Sequence, residues 1–316
     1  MNDYDYEQDY DYEKSPFFLI LILILILILI LILILILILI SLKFQTSMTA
    51  DFFAGLERLY NGYVDSFRNA DGVLPEMIGL KLRHTRGVVD DAVLIMEGEG
   101  WSSDDCLTGR ASALLHDTGR YSQWQEFGTF QDLKSVDHAR RAVEVITREG
   151  WLAGLAAAER KVVLSAVALH NRRELPEGLD NVIAAQARLV RDADKLDIFR
   201  VIETAAADGM LDRNPEMTWG LRMDGTPAPD VMRAVAAGTT IDYAQVKSLA
   251  DFILIQVGWL SGGFHYRTAL RLAAERKALE FREAWLGKLC GVDVVKECFD
   301  AVRRRMAVRL TATGAV

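Results

Sequence analysis

From Met48 onward, apolar residues recur at three- and four-residue spacing, with no sustained strand-like alternation. That period predicts helices along the whole stretch. One opens at Pro75, a residue suited to a first helical turn, and runs to about Met96, ahead of Gly98 and Gly100. Ser102 or Ser103 caps the next, with Asp104 and Asp105 in its first turn and Leu107, Ala111, Leu114 and Leu115 leading to His116. Ser135 is expected to cap a helix through Ala142, Val143 and Ile146 to Gly150. Further helices are expected at about 157–171, 180–207, 229–237, 243–259, 264–288 and 293–309. Between Asn214 and Pro229 lie three of the six prolines together with Gly220 and Gly225, which predicts a loop. There is no internal repeat. The pattern predicts a single all-α domain over residues 48–316.

Residues 1–47 follow other rules. Residues 2–13 repeat Asp, Tyr and Glu, and residues 19–40 are eleven consecutive Leu-Ile pairs. With Phe17 and Phe18 the apolar run covers residues 17–40, long enough to cross a bilayer at about 1.5 Å per residue. Its acidic flank, its length and the lack of a small-residue cleavage site make it a poor signal peptide. As a single span, with Lys43 and the later basic residues behind it, it would leave the C-terminal side in the cytoplasm. A perfect dipeptide repeat also reads as a translated tandem nucleotide repeat, with Met48 as the start of the chain. Neither reading touches the chemistry downstream.

Charge narrows the class. The chain carries a net −8, half of it in the first 47 residues. A weakly acidic body does not suit a bulk nucleic-acid binder, which needs a basic face. Cys106, Cys290 and Cys298 form no CxxC pair, which excludes a disulfide framework and a thiolate zinc site. Cys106 at a helix start, and Trp101, Trp124 and Trp259, are read as packing residues.

The polar residues on apolar faces carry more information. His84 lies four residues from both Leu80 and Val88. His138 shares a stripe with Ala142 and Val145, and His170 with Val163, Ala166 and Val167. Asp194 falls between Val190 and Ile198. These offsets turn each group toward the core. One buried histidine is ordinarily a satisfied core residue, but several on separate helices each cost a few kcal/mol unless paired. A shared metal, which takes neutral imidazoles and carboxylates, meets that cost for all of them. Arg83, Arg86, Arg120, Lys134, Arg140, Arg141, Arg172, Arg173, Arg191 and Lys195 surround these positions and suit an anionic substrate, although at least half serve as solvated helix surface.

In "LRHTR", "ALLHDTGRYSQW", "SVDHARRA", "ALHNRRELP" and "RDADKLDIF" the chain resembles the HD superfamily of metal-dependent phosphohydrolases. The ordered set H…HD…H…H…D covers residues 84–194. The resemblance implies an all-α HD-domain helical bundle with its metal-binding core at about 75–205. His84, His116, Asp117 and Asp194 would form a first metal site. His138 and His170 would complete a second, with Asp117 bridging. Asp192 and Asp197 compete for the last place, and Asp194 is preferred because it holds the family's "AD(K/R)L" position. The cofactor would be one or two divalent ions, Mn, Fe, Ni, Mg or similar. Arg120, Asn171 and Lys195 are candidates for phosphate contact or proton handling.

The resemblance also sets the function classes. The leading one is hydrolysis of a phosphomonoester or phosphodiester, a nucleotide among the candidates, by a metal-activated water. A di-iron oxygenase of the same scaffold, acting on a small polyol or phosphonate, is the alternative. A non-catalytic ligand-sensing module is the third. The partner would be a small phosphate-containing anion, and a membrane would be met only through residues 17–40. No GYP motif follows the histidines, so the cyclic-di-GMP branch is not supported, and no nucleotide synthetase half is present. His265 is expected to pack at a helix start. Asp132, in "GTFQD", is either an acceptor for the outer N–H of a ligand histidine or an exposed loop acid.

Overall fold

The computed structural model describes residues 16–43, 46–239, 241 and 243–312. It falls into two units, Met1–Thr46 and Ser47–Val316.

In the first unit, α1 (Pro16–Lys43) is a 28-residue helix. Its window Leu19–Ile36 has a mean hydropathy of 4.2 and exposes its side chains. Strict Leu-Ile alternation places apolar side chains on every face, the mark of a helix made for an apolar surround rather than for one side of a core. The helix is long and apolar enough to cross a membrane, a test that a signal sequence near an N-terminus also passes.

In the second unit the described residues form helices and turns, with an isolated bridge between Arg222 and Ser248. The two longest helices of this unit, α3 (Glu76–Glu99) and α8 (Asn181–Ala207), pack against each other. Around them stand α4 (Ser103–Leu115), α5 (Thr118–Phe127), α6 (His138–Arg148) and α7 (Ala157–Leu169). Before them comes α2 (Ala50–Asp65), which packs on α4. A short α9 (Met210–Arg213) leads to α10 (Pro229–Ala237), α11 (Leu249–Gly258), α12 (Arg267–Glu275), α13 (Ala278–Cys290) and α14 (Val292–Thr311). Two apolar cores hold the unit. One joins α3 and α8 to the C-terminal helices, through Val88, Leu196, Ile253 and Phe299 among others. The other joins α2 to α4–α7, through Leu56, Leu115, Ile146 and Val163. Both α3 and α4 feed side chains into both cores, which fixes their rotation and with it the residues they turn inward.

Local chemistry moved several boundaries from their expected places. Asp137, not Ser135, caps α6, accepting from the N–H groups of Ala139 and Arg140. The Ser135 hydroxyl instead donates to the Gln131 carbonyl and accepts from Gln123. The helix expected over 243–259 begins at Leu249, because Ser248 and Asp251 form a reciprocal capping box there. It then gives way to a π turn at Trp259–Gly263. The long helix expected over 264–288 is broken at Lys277, whose φ of 58° turns the chain between α12 and α13. Arg276 at that corner makes a two-pronged ion pair with Asp91 on α3, which pins the bend to the core. The 214–229 stretch is a loop as expected, apart from one 3-10 turn at Pro215–Thr218. Helix α5 was not foreseen, since "TGRYSQWQEF" has no apolar stripe and buries Gly119, Tyr121 and Gln123 instead.

Every buried core side chain among the described residues lies at Met48 or beyond. Removing residues 1–47 is therefore expected to leave helical content, metal uptake and turnover of the remainder unchanged and to raise its solubility. Circular dichroism and elemental analysis of the shortened chain check this. Loss of metal on shortening would place the leader within the functional unit.

Candidate metal centre

Six side chains from six helices and their ends converge. His84 lies in the middle of α3, His116 follows the last residue of α4, and Asp117 immediately precedes α5. His138 opens α6, His170 closes α7, and Asp194 lies midway along α8. The four histidines and Asp117 are buried, whereas the Asp194 side chain is 21% exposed and forms the solvent side of the group.

Asp117 stands at the middle. Its Oδ2 is 3.6 Å from both His84 Nε2 and His116 Nε2. Its Oδ1 is 3.6 Å from His138 Nε2 and 3.8 Å from His170 Nε2. Asp194 Oδ1 adds to the first set, 3.1 Å from His84 Nε2 and 4.0 Å from His116 Nε2. Bonds of about 2.1 Å to one ion put neighbouring ligand atoms roughly 3.0–3.4 Å apart in octahedral or tetrahedral array. The 3.1 Å pair matches such an edge, and the others, at 3.6–4.0 Å, lie somewhat beyond one. The donors offer one set to each oxygen of a single carboxylate.

The proton positions decide what the histidines can do. His116 Nδ1 is 2.7 Å from the Ala113 carbonyl and His170 Nδ1 is 2.7 Å from the Val167 carbonyl. A carbonyl only accepts, so both Nδ1 atoms carry the proton and both Nε2 atoms present lone pairs. His138 Nδ1 donates to Asp132 Oδ2 at 2.6 Å, with the same result. Burial then pushes His138 and His170 down to about 4, so neither gains a second proton near neutrality. Yet their Nε2 atoms are 3.0 Å apart. Two lone pairs at that distance repel, and a cation coordinated by both removes the conflict. His116 Nε2 is likewise buried without a hydrogen-bond partner. The donor set fits divalent metal by its chemistry as well as its spacing.

A second layer aims the first. Asp197 Oδ2 is 2.7 Å from His84 Nδ1, and its other oxygen takes the Arg200 guanidinium. Asp132 accepts from His138 and is not an idle loop acid. Arg120 Nη1 and Gln123 Nε2 both donate to its Oδ1. Arg120 Nη1 also donates to the Phe130 carbonyl at 2.5 Å and to Gln123 Oε1 at 2.9 Å, while its Nε lies 3.4 Å from Asp117 Oδ1. Asn171 donates from Nδ2 to Asp137 and Asp132, leaving Oδ1 buried without a partner. Lys195 Nζ lies 3.8 Å from Asp192 and makes no hydrogen bond, and burial lowers it to about 8.

Helical phase separates the three aspartates of α8. Asp194 and Asp197 share the α8 face toward α3 and touch opposite nitrogens of His84. Asp192 turns away and accepts from the backbone N–H of His265 and Tyr266 and from His265 Nδ1, holding the entry to α12. His265 thus packs at a helix start. Cys106 is no activated thiol, since burial raises it above its ordinary value.

Lys81 was missed from the sequence. Its Nζ is 2.8 Å from Asp117 Oδ2. The signal available was its place three residues before His84, on the same face of one helix. Burial alone would raise Asp117, but Lys81, His116 and Arg120 hold it well below the usual carboxylate range.

Residues 82–198 match the family model of the HD domain. This segment is an HD domain. It contains all six converging side chains, and with them Asp132, Asp197, Arg120, Asn171 and Lys195. The chain matches no curated protein and no solved structure. The C-terminal helices from α9 onward lie beyond the matched HD segment and contribute to it through Asp91–Arg276 and Asp192–His265.

The two halves of the HD centre differ in proton demand. Burial and Lys81 depress His84, but Asp194 and Asp197 on its two nitrogens outweigh both and lift it to about 9. A metal entering the first set must therefore displace a proton at neutral pH. Its affinity is expected to climb with pH, by about tenfold per unit for one proton, up to about pH 9. The His138–His170 set, already neutral, gives no such slope above about pH 5. Calorimetric titration of the metal-free chain from pH 6 to 9 tests this, and a flat profile at both sites contradicts it.

Proposed function

We propose that this chain is a metal-dependent phosphohydrolase that cleaves a small phosphomonoester or phosphodiester, nucleotides among the candidates. HD domains are mostly metal-dependent hydrolases. The observation that carries the reading is Asp117, with one oxygen facing each of two sets of donors.

His84, His116, Asp194 and Asp117 would hold one divalent ion, and His138, His170 and Asp117 a second. When bound, such ions supply a nucleophilic water of lowered pKa and polarise a phosphoryl oxygen. Asp197 and Asp132 keep the Nδ1 protons of His84 and His138 outward, so that the lone pairs stay directed at the centre. Arg120, fixed by three acceptors, holds its positive charge beside Asp117 without needing to reorganise during the reaction. Lys195 lies one residue beyond Asp194, and its lowered affinity for a proton suits it to pass a proton to a leaving oxygen. Asn171 acts through Asp132 and Asp137 rather than on the substrate. Helix α1 would anchor this unit to a membrane with the hydrolase on the cytoplasmic side.

The test is phosphate release from a panel of mono- and diesters by the metal-loaded chain under anaerobic conditions. Release that needs the metal and no oxygen supports hydrolysis. Oxygen uptake on a polyol or phosphonate by a two-iron form, with no phosphate released from any ester, would replace the hydrolase reading with an oxygenase.

A further inference from the structure

Lys81 is the cation whose place in this centre the hydrolase reading leaves unexplained. Its ammonium is 2.8 Å from Asp117 Oδ2, the oxygen that also faces His84 and His116 at 3.6 Å. An ion held by those two histidines and that oxygen occupies the same neighbourhood as the ammonium. The two cations would compete for the same Asp117 oxygen and repel each other across it. The other cation beside Asp117 is not free to leave. Arg120 is tied through Nη1 to Gln123, Phe130 and Asp132. Lys81 hydrogen-bonds to Asp117 through a flexible four-carbon stem, with 17% of its side chain exposed, whereas the histidines are almost wholly buried.

We propose that Lys81 is a displaceable counter-ion: it neutralises Asp117 in the metal-free chain, and metal loading moves it off Asp117 to contact the substrate's anionic group. The destination is defined by Phe130. Lys81 Nζ lies 5.3 Å from the centre of that ring and Arg120 Cζ lies 5.8 Å from it. A lysine released from Asp117 stays beside the ring and beside Arg120, giving two adjacent cations next to the centre. A phosphoryl group with two or three charged oxygens matches that pair. The same residue would thus hold the empty site closed against stray cations and serve as a specificity-determining contact once the site is filled. This rests on the dinuclear reading above.

The experiment uses the full chain in detergent, with manganese and inorganic phosphate as probes. Acylation of Lys81 by an amine-reactive ester is followed by peptide mass spectrometry in three states: metal-free, manganese-loaded, and manganese-loaded with phosphate. The expected result is a several-fold rise in Lys81 labelling on loading, reversed by phosphate. The Lys81→Met variant is expected to bind manganese no more weakly than the parent and to bind phosphate about tenfold more weakly, the worth of one charge-assisted contact. Unchanged labelling in a chain shown by elemental analysis to hold manganese overturns the proposal. So does a Lys81→Met variant that folds and loses its metal, because Lys81 would then be structural. A parent chain that takes up no manganese overturns the dinuclear reading itself and this inference with it.

Discussion

Replacing Asp117 with Asn is expected to strip both metals and abolish turnover while the helices persist. The carboxylate faces both donor sets, so a single change removes a group from each. An amide of the same shape keeps the packing but offers no negative charge to two dications. Loss of an outer partner of a metal ligand costs about 10–100-fold in affinity, and losing the shared ligand should exceed that at both positions. The change also leaves Lys81 and Arg120 beside a neutral side chain in a nearly dry site. Fold stability is therefore expected to fall by about 3–5 kcal/mol, the usual cost of unpairing a buried charge. Elemental analysis, a phosphate-release assay and thermal unfolding read the three effects separately. Turnover retained by this variant would remove the basis for the whole assignment.

Two glycines should separate the halves of the centre. A Cβ on Gly87 would lie 1.9 Å from Asp197 Oδ1 and 2.8 Å from the Arg200 guanidinium. Asp197 would have to withdraw from His84, whose Nδ1 it holds at 2.7 Å. Gly87→Ala is thus expected to weaken the first metal by about 10–100-fold and spare the second. The better helix propensity of Ala, worth at most about 1 kcal/mol, does not offset the overlap, so stability falls as well, by about 1–3 kcal/mol. At Gly119 a Cβ would meet backbone instead, 2.2 Å from the His138 carbonyl oxygen and 2.6 Å from Ala142 N. Gly119→Ala must push α5 off α6 at the point where His138 is mounted, and it should strike the second metal first. Metal titration of both variants checks the pairing. Equal loss at both sites in each variant would show that the two halves do not act separately.

The parts of this centre that were legible in the sequence are those set by one helix at a time. Histidines on apolar stripes revealed His84, His138 and His170, because a helix that turns its apolar face inward takes the polar residue on that face with it. The choice among Asp192, Asp194 and Asp197 needed only the helical phase of α8 plus the direction of α3, and the second was missing. Contacts between distant segments left no local trace. Lys81 meets Asp117 across 36 positions and Asp192 meets His265 across 73. Helix α5 escaped for a different reason, since it is held by Gly119 against α6 and by Gln123 in a polar network rather than by an apolar stripe. The break at Lys277 depends on Arg276 reaching Asp91, a partner 185 positions earlier.

On the reading proposed above, six side chains hold two divalent ions around one carboxylate. Elemental analysis of the chain, purified without chelator and without oxygen, tests it most directly. About two ions per folded chain, falling to about one in the His138→Ala variant, is the expected result. A well-folded chain that holds no metal even after reconstitution with manganese, iron, nickel and magnesium would contradict it, leaving the 3.0 Å approach of His138 and His170 without its cation.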